Sequence, residues 1–227
     1  MKLDDSQFVS AEVIGLAHRV QMPATATPDN PAPLALMVHG YAGDETVMWV
    51  FRRAIPANMA IITPCGPLPC EDMAGYRWFR HRGERRVQPE LDSLNETMAQ
   101  LYYFITELPR HYPVDLKHLV MIGFSQGAVM CNSLAMMHPD LLRGVASLSG
   151  SMPDLPDIVP YPDLLADLPV FIAHGTQDET APIKMAHYTR DSYRQLGAQV
   201  SYGEYNVGHK MSIQAIHALH AWLAKLI

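Results

Sequence analysis

The sequence predicts an α/β chain with a mostly parallel central sheet covered by helices on both faces. Three observations predict it. Short apolar runs of strand length stop at glycine or proline. Segments with helical spacing alternate with those runs. The runs are apolar throughout rather than alternating, which marks strands buried on both faces. Such alternation implies right-handed crossovers between parallel strands.

The elements follow in order. "AEVIGLAHRV" (11–20) reads as an edge strand, and the proline-rich "PATATPDNPAP" (23–33) as a connection. "LALMVH" (34–39) and "MAIITP" (59–64) read as strands. The segment 91–112 has helical spacing, with Leu94, Met98, Leu101 and Ile105 on one face. "LVMIG" (119–123) reads as a strand running into a helix over 126–138. "GVASLS" (144–149) and "VFIAHG" (170–175) are strands. A helix over 182–197 starts near Pro182 and ends at Gly197, the usual asymmetry. "QVSYGEY" (199–205) is the last strand. A helix over 212–226 closes the chain, with Ile213, Ile216, Leu219 and Leu223 as its buried stripe.

The 227 residues, 48% hydrophobic and 18% charged, suit one domain over 1–227. A formal net charge of −6 argues against a nucleic-acid partner. Cys65, Cys70 and Cys131 form an odd set without paired CxxC motifs, and read as reduced thiols. The acidic N-terminus lacks the apolar core of a signal peptide, and no apolar run reaches the ~18 residues that cross a bilayer. A soluble cytoplasmic protein with no stable membrane anchor is expected.

In parallel sheets ligands gather beyond the carboxyl ends of the strands. There, Gly123-Phe124-Ser125-Gln126-Gly127 matches G-x-S-x-G, a sharp strand-to-helix turn that exposes a serine. Side chains two positions either side would clash, so glycine is needed at both. The alternative is a loop serine with two accidental glycines; its place between an apolar strand and a helix argues against that. A serine needs a base, and the base needs orienting. Asp178 and Glu179 follow "VFIAHG", and His209 follows "VSYGEY". Ser125, Asp178 and His209 thus come in chain order, each after a different strand. Neutral His209 would take the serine proton, and Asp178 would hold its tautomer, with Glu179 the competitor for the acid role. The backbone N–H groups of Gln126 and Tyr41 are placed to bind a developing oxyanion. His39, before Gly40, reads as a core residue that braces this loop.

"HGYAGDE", "GFSQGA", "GVASLSG", "HGTQDETAP" and "GHKM" together resemble the phospholipase/carboxylesterase family of α/β-hydrolases, which includes the acyl-protein thioesterases. The resemblance runs from about residue 34 to 222. It implies the α/β-hydrolase fold and hydrolysis of carboxylic esters or thioesters by a Ser125-His209-Asp178 triad without metal or cofactor. It also allows a homodimer. The chain departs from the common HGLGD by Tyr41 and an extra residue before Asp44, and has QGAV where thioesterases commonly have QGGA. The proline-rich 151–169 is too short for a large lid and reads as a partial cover. A small-molecule ester of short or medium acyl chain is therefore the expected substrate. The alternatives are a thioesterase or lysophospholipase acting on longer chains, and a non-catalytic hydrolase-like binding protein.

Trp78 and Phe79 resemble the aromatic step lining the family's acyl site, and Met152 and Met211 are further pocket candidates. Met136 and Met137 read as core filler on a helix. The same loop as Trp78 carries Arg77, Arg80, Arg82, Arg85 and Arg86, expected to pair with acidic neighbours rather than bind an anion. No GxGxxG, Walker or HExxH motif occurs, and His217 and His220 lack a third metal ligand, so no cofactor or metal is expected.

Overall fold

The computed structural model describes residues 6–83, 88–153, 155 and 163–227. The first part of the chain forms β1 (Gln7–Val9), α1 (Ala11–Ile14), β2 (His18–Gln21), β3 (Ala32–Val38), a 3-10 helix (Val47–Ala54) and β4 (Ala60–Pro64). A hairpin of β5 (Leu68–Pro69) and β6 (Tyr76–Arg77) precedes α2 (Leu91–His111), β7 (Val114–Phe124) and α3 (Gln126–Met137). The rest is β8 (Gly144–Leu148), β9 (Pro169–Gly175), α4 (Ile183–Gln195), β10 (Gln199–Tyr205) and α5 (Ile213–Leu226).

Among the described residues, eight strands form one sheet in the order β1-β2-β4-β3-β7-β8-β9-β10. All pairings from β4 to β10 are parallel; β1 and β2 add an antiparallel edge. Side chains alternate between faces, so one strand feeds two cores. Leu34, Leu36 and Val38 of β3 join the core under α2, α3 and α4. Ala35 and Met37 join the core under the 3-10 helix and α5. Helix α3 is buried almost all round, which explains its apolar sequence. Ser212 caps α5, its Oγ accepting from the Ala215 N–H at 3.1 Å. No helix among the described residues is long and apolar enough to cross a membrane.

Four expectations change. The edge strand expected over 11–20 begins only at His18. Residues 11–14 form a helical turn, closed by Gly15 at φ 88° with its N–H on the Ala11 carbonyl at 2.7 Å. Strand β7 starts five residues before the expected 119, because the pairing with β3 shifts between Pro33 and Leu34. Proline offers no N–H to the ladder there, and Asp115 holds the extra residues by accepting from Lys117 N–H and from His118. Ile213 is 70% exposed, and the buried stripe of α5 is Ala215, Leu219, Trp222 and Leu223. Met137 is 40% exposed rather than core filler, whereas Met136 packs against the core. Of the cover expected over 151–169, residues 154 and 156–162 lie outside the described residues.

Leu36, fully buried in β3, tests the core. Leu36→Ala should cost about 2–5 kcal/mol, read as a lower urea midpoint with little change in slope.

Candidate active site

Strand β7 enters α3 through Ser125, whose φ of 55° and ψ of −117° cost a non-glycine residue about 1–3 kcal/mol. Its N–H donates to the Leu148 carbonyl at 2.9 Å, and its carbonyl accepts from Ala128 and Val129. The flanking glycines are steric necessities. A Cβ on Gly123 would lie 2.2 Å from the Gly127 carbonyl oxygen, and one on Gly127 would lie 2.0 Å from that of Val38.

Three side chains from three strand ends form one hydrogen-bonded line. Ser125 Oγ lies 2.9 Å from His209 Nε2, and His209 Nδ1 lies 2.7 Å from Asp178 Oδ2. A carboxylate only accepts, so Nδ1 carries the proton and Nε2 accepts from the serine hydroxyl. Asp178 also accepts from the Ala181 N–H at 2.8 Å. Burial of this carboxyl opposes ionisation, but the His209 and Ala181 hydrogen bonds outweigh it and hold its pKa below the ordinary value. Neighbouring Glu179 is exposed, so the buried Asp178 occupies the place beside the imidazole.

The loop after β3 lies against Ser125: a Cβ on Gly40 would come 3.1 Å from the serine Cβ. Tyr41 lines the same cavity as Ser125 and His209, and Gln126 opens α3 beside the serine. A helix N-terminus favours negative charge. The Tyr41 hydroxyl donates to Asp72; burial and that bond push its pKa up to about 12.

The family model for phospholipases and carboxylesterases matches residues 21–227. The chain belongs to the phospholipase/carboxylesterase family. It is 27% identical over 200 residues to acyl-protein thioesterase 1 of Debaryomyces hansenii, covering 80% of this chain and 84% of that protein. It is 28% identical over 184 residues to the putative esterase NocK of Nocardia uniformis, covering 78% of this chain and about half (51%) of that protein's length. The carboxylesterase structure from Mesorhizobium loti superposes with a TM-score of 0.83 at 24% identity, over 97% of this chain and 99% of that one, which shows the shared α/β-hydrolase fold. The protein is thus of the esterase and thioesterase family of serine hydrolases.

Within this family member a cavity of about 570 Å³ opens over Ser125 and His209. Met211 lines it; Trp78, Phe79 and Met152 do not. Trp78 and Phe79 are fully buried, and Met152 is 7% exposed with its N–H on Thr189 Oγ1. Trp78, Phe79 and Met152 pack in the hydrophobic core with α2, α3 and α4. Arg77 pairs with Glu71 and Arg80 with Glu90, while Arg85 and Arg86 lie outside the described residues.

Sequence reasoning missed two supports. The buried Gln126 side chain accepts from the Trp78 N–H at 3.0 Å and donates to the Phe79 carbonyl at 3.2 Å, tying that loop to the serine turn. His174 sits 1% exposed beneath Asp178; its Nε2 lies 2.6 Å from the Ala181 carbonyl and 3.5 Å from Asp178 Oδ2. Its signal was a His-Gly pair at a strand end, like His39-Gly40. His39 is the brace expected of it. Its Nδ1–H donates to the Gly40 carbonyl at 2.6 Å, its Nε2 accepts from the Gly66 N–H at 2.8 Å, and its carbonyl accepts from Trp78 Nε1 at 2.9 Å.

Burial lowers the His39 pKa from 6.5 to about 4. Between those values the unfolded chain binds a proton that the folded one excludes. The contribution of neutral His39, about 3 kcal/mol, should be intact above pH 6.5 and lost as pH falls toward 4. Urea titrations across that range should show this slope, reduced in His39→Gln. Gly127→Ala should cost at least about 3 kcal/mol, the upper range for overpacking, and collapse activity, since the helix start must shift.

Proposed function

We propose that the protein hydrolyses carboxylic esters of short or medium acyl chain, with Ser125 as nucleophile, His209 as general base and acid, and Asp178 as its orienting carboxylate. The observation that carries this reading is the unbroken line from Oγ through the imidazole to the buried carboxylate, at 2.9 and 2.7 Å. His209 Nε2 takes the hydroxyl proton as Oγ attacks the ester carbonyl. The tetrahedral oxyanion is met by the backbone N–H groups of Tyr41 and Gln126. His209 then gives its proton to the departing alcohol oxygen, leaving an acyl group on Ser125. Water, deprotonated by the same imidazole, hydrolyses that acyl-enzyme. Asp178 stays ionised and stabilises the imidazolium at both stages.

A second reading, thioester hydrolysis, is favoured by the similarity to acyl-protein thioesterase 1. Rates on matched esters and thioesters from acetyl to palmitoyl separate the two, and a maximum at long thioesters selects the second.

Ser125→Ala should lower kcat on p-nitrophenyl acetate by about 10⁶-fold while the melting temperature stays within a few degrees. A fluorophosphonate should label the wild type at Ser125 and leave the variant unlabelled. Retention of most activity in the variant rules the assignment out.

A further inference from the structure

The 3-10 helix has a pattern that the fold alone does not require. With three residues per turn, positions i and i+3 eclipse, so the helix carries three straight ridges. Trp49 leads one, fixed into the protein by Nε1–H bonds to the Glu45 carbonyl and Thr63 Oγ1, each at 3.0 Å. Met48, Phe51 and Ala54 form a second, which is buried. Val47 and Val50 form the third, 42% and 54% exposed. Val47 and Val50 of the third ridge, which ends at the exposed Arg53, and Met48 and Phe51 of the second line the cavity over Ser125. Met211, just before α5, and Ile216, in its first turn, line the same cavity. The walls are joined, because His220 of α5 donates from Nδ1 to the Ala54 carbonyl at 3.0 Å. A preformed apolar groove with two exposed valines on its lip is suited to a ligand group.

Its position says which group. The bond that breaks joins the ester carbonyl carbon to the alcohol oxygen, and that oxygen must receive the proton from His209 Nε2. The alcohol portion therefore lies along the imidazole. A continuous run of rings leads away from that imidazole into the groove: Phe124 is 5.0 Å from His209 between centroids, and Phe51 is 6.5 Å from Phe124. Val47, Met48, Val50, Met211 and Ile216 offer hydrocarbon, beside the polar Tyr41, Thr180 and Lys210 that line the same cavity, and a hydroxyl buried against hydrocarbon without a partner is costly.

We propose that the groove between the Val47–Ala54 helix and the start of α5 seats an apolar alcohol portion of the ester, alkyl or aryl, and that the Val47–Val50 ridge sets its size. This rests on the serine-ester reading above. Selectivity is then written mainly in the leaving alcohol.

Two ester panels test it on the full chain. One holds the acyl group at acetyl and enlarges the alcohol from ethyl through hexyl to naphthyl. The other holds the alcohol at p-nitrophenol and lengthens the acyl group from acetyl to octanoyl. Val50→Trp and Val47→Trp fill the groove from partly exposed positions. Relative to wild type, each should lower the naphthyl-to-ethyl ratio of kcat/KM by about tenfold or more and shift the octanoyl-to-acetyl ratio by less than about twofold. A shift confined to the acyl ratio, an equal shift in both, or no shift in either overturns the proposal. Fluorophosphonate labelling of Ser125 in each variant separates the two levels. Labelled variants with unmoved ratios sink the groove alone, whereas esterase activity surviving Ser125→Ala sinks the serine-ester reading itself.

Discussion

Between the first turn of α3 and the ends of β3 and β7 there is no room for a side-chain carbon. Gly127 passes so near the Val38 carbonyl, and Gly123 so near Gly127, that any Cβ would overlap a backbone oxygen. This contact sets the angle at which the strand becomes a helix. It forces Ser125 into a conformation that L-residues avoid, and the strain persists because the surroundings hold it there. The serine amide is tied to β8 and its carbonyl to the turn of α3. Ten consecutive residues of α3, Gln126 to Ala135, are buried, so packing far exceeds the cost of one strained residue. The hydroxyl is thereby aimed at an imidazole that arrives from β10, on the far side of β8 and β9.

The loops that meet this turn are held by buried polar groups with defined partners. Gln126 uses both ends of its amide on the 78–79 segment, and His39 uses both ring nitrogens on two different loops. Leaving one such group unpaired costs about 1–3 kcal/mol, so each bond discourages alternative loop positions. The Asp178 carboxylate follows the same logic, with the Ala181 amide on one oxygen and His209 on the other. The strand ends thus arrive as a connected set.

Much of this was legible in the residues, for reasons that differ by element. The buried parallel strands announced themselves by continuous apolar runs, because both faces are covered. The glycine-serine-glycine turn was legible because sterics leave glycine as the one residue that fits. Asp178 could be placed in a strand-end loop and assigned the acid role, with Glu179 beside it as the competitor. That choice depends on which carboxylate the fold buries. The helical turn at 11–14 hid inside an apolar stretch because Ile14 and Leu16 are both buried, mimicking strand alternation across Gly15. The early start of β7 was hidden by its polar residues, which accompany a register shift that only the partner strand reveals. Trp78 and Phe79 misled because aromatic bulk suits a pocket and a core equally. The 3-10 helix went unseen because a three-residue period over eight residues resembles an α-helical fragment or a loop.

That short helix has a consequence for how such a protein could diversify. Each residue advances a 3-10 helix by about 120°, a full ridge. With Trp49 anchored, deleting or inserting a single residue after it would turn the rest of the helix by one ridge and replace Val50 on the lip by a neighbour. A one-residue change of length inside this helix would therefore alter selectivity in a single step, where point replacements would act one side chain at a time.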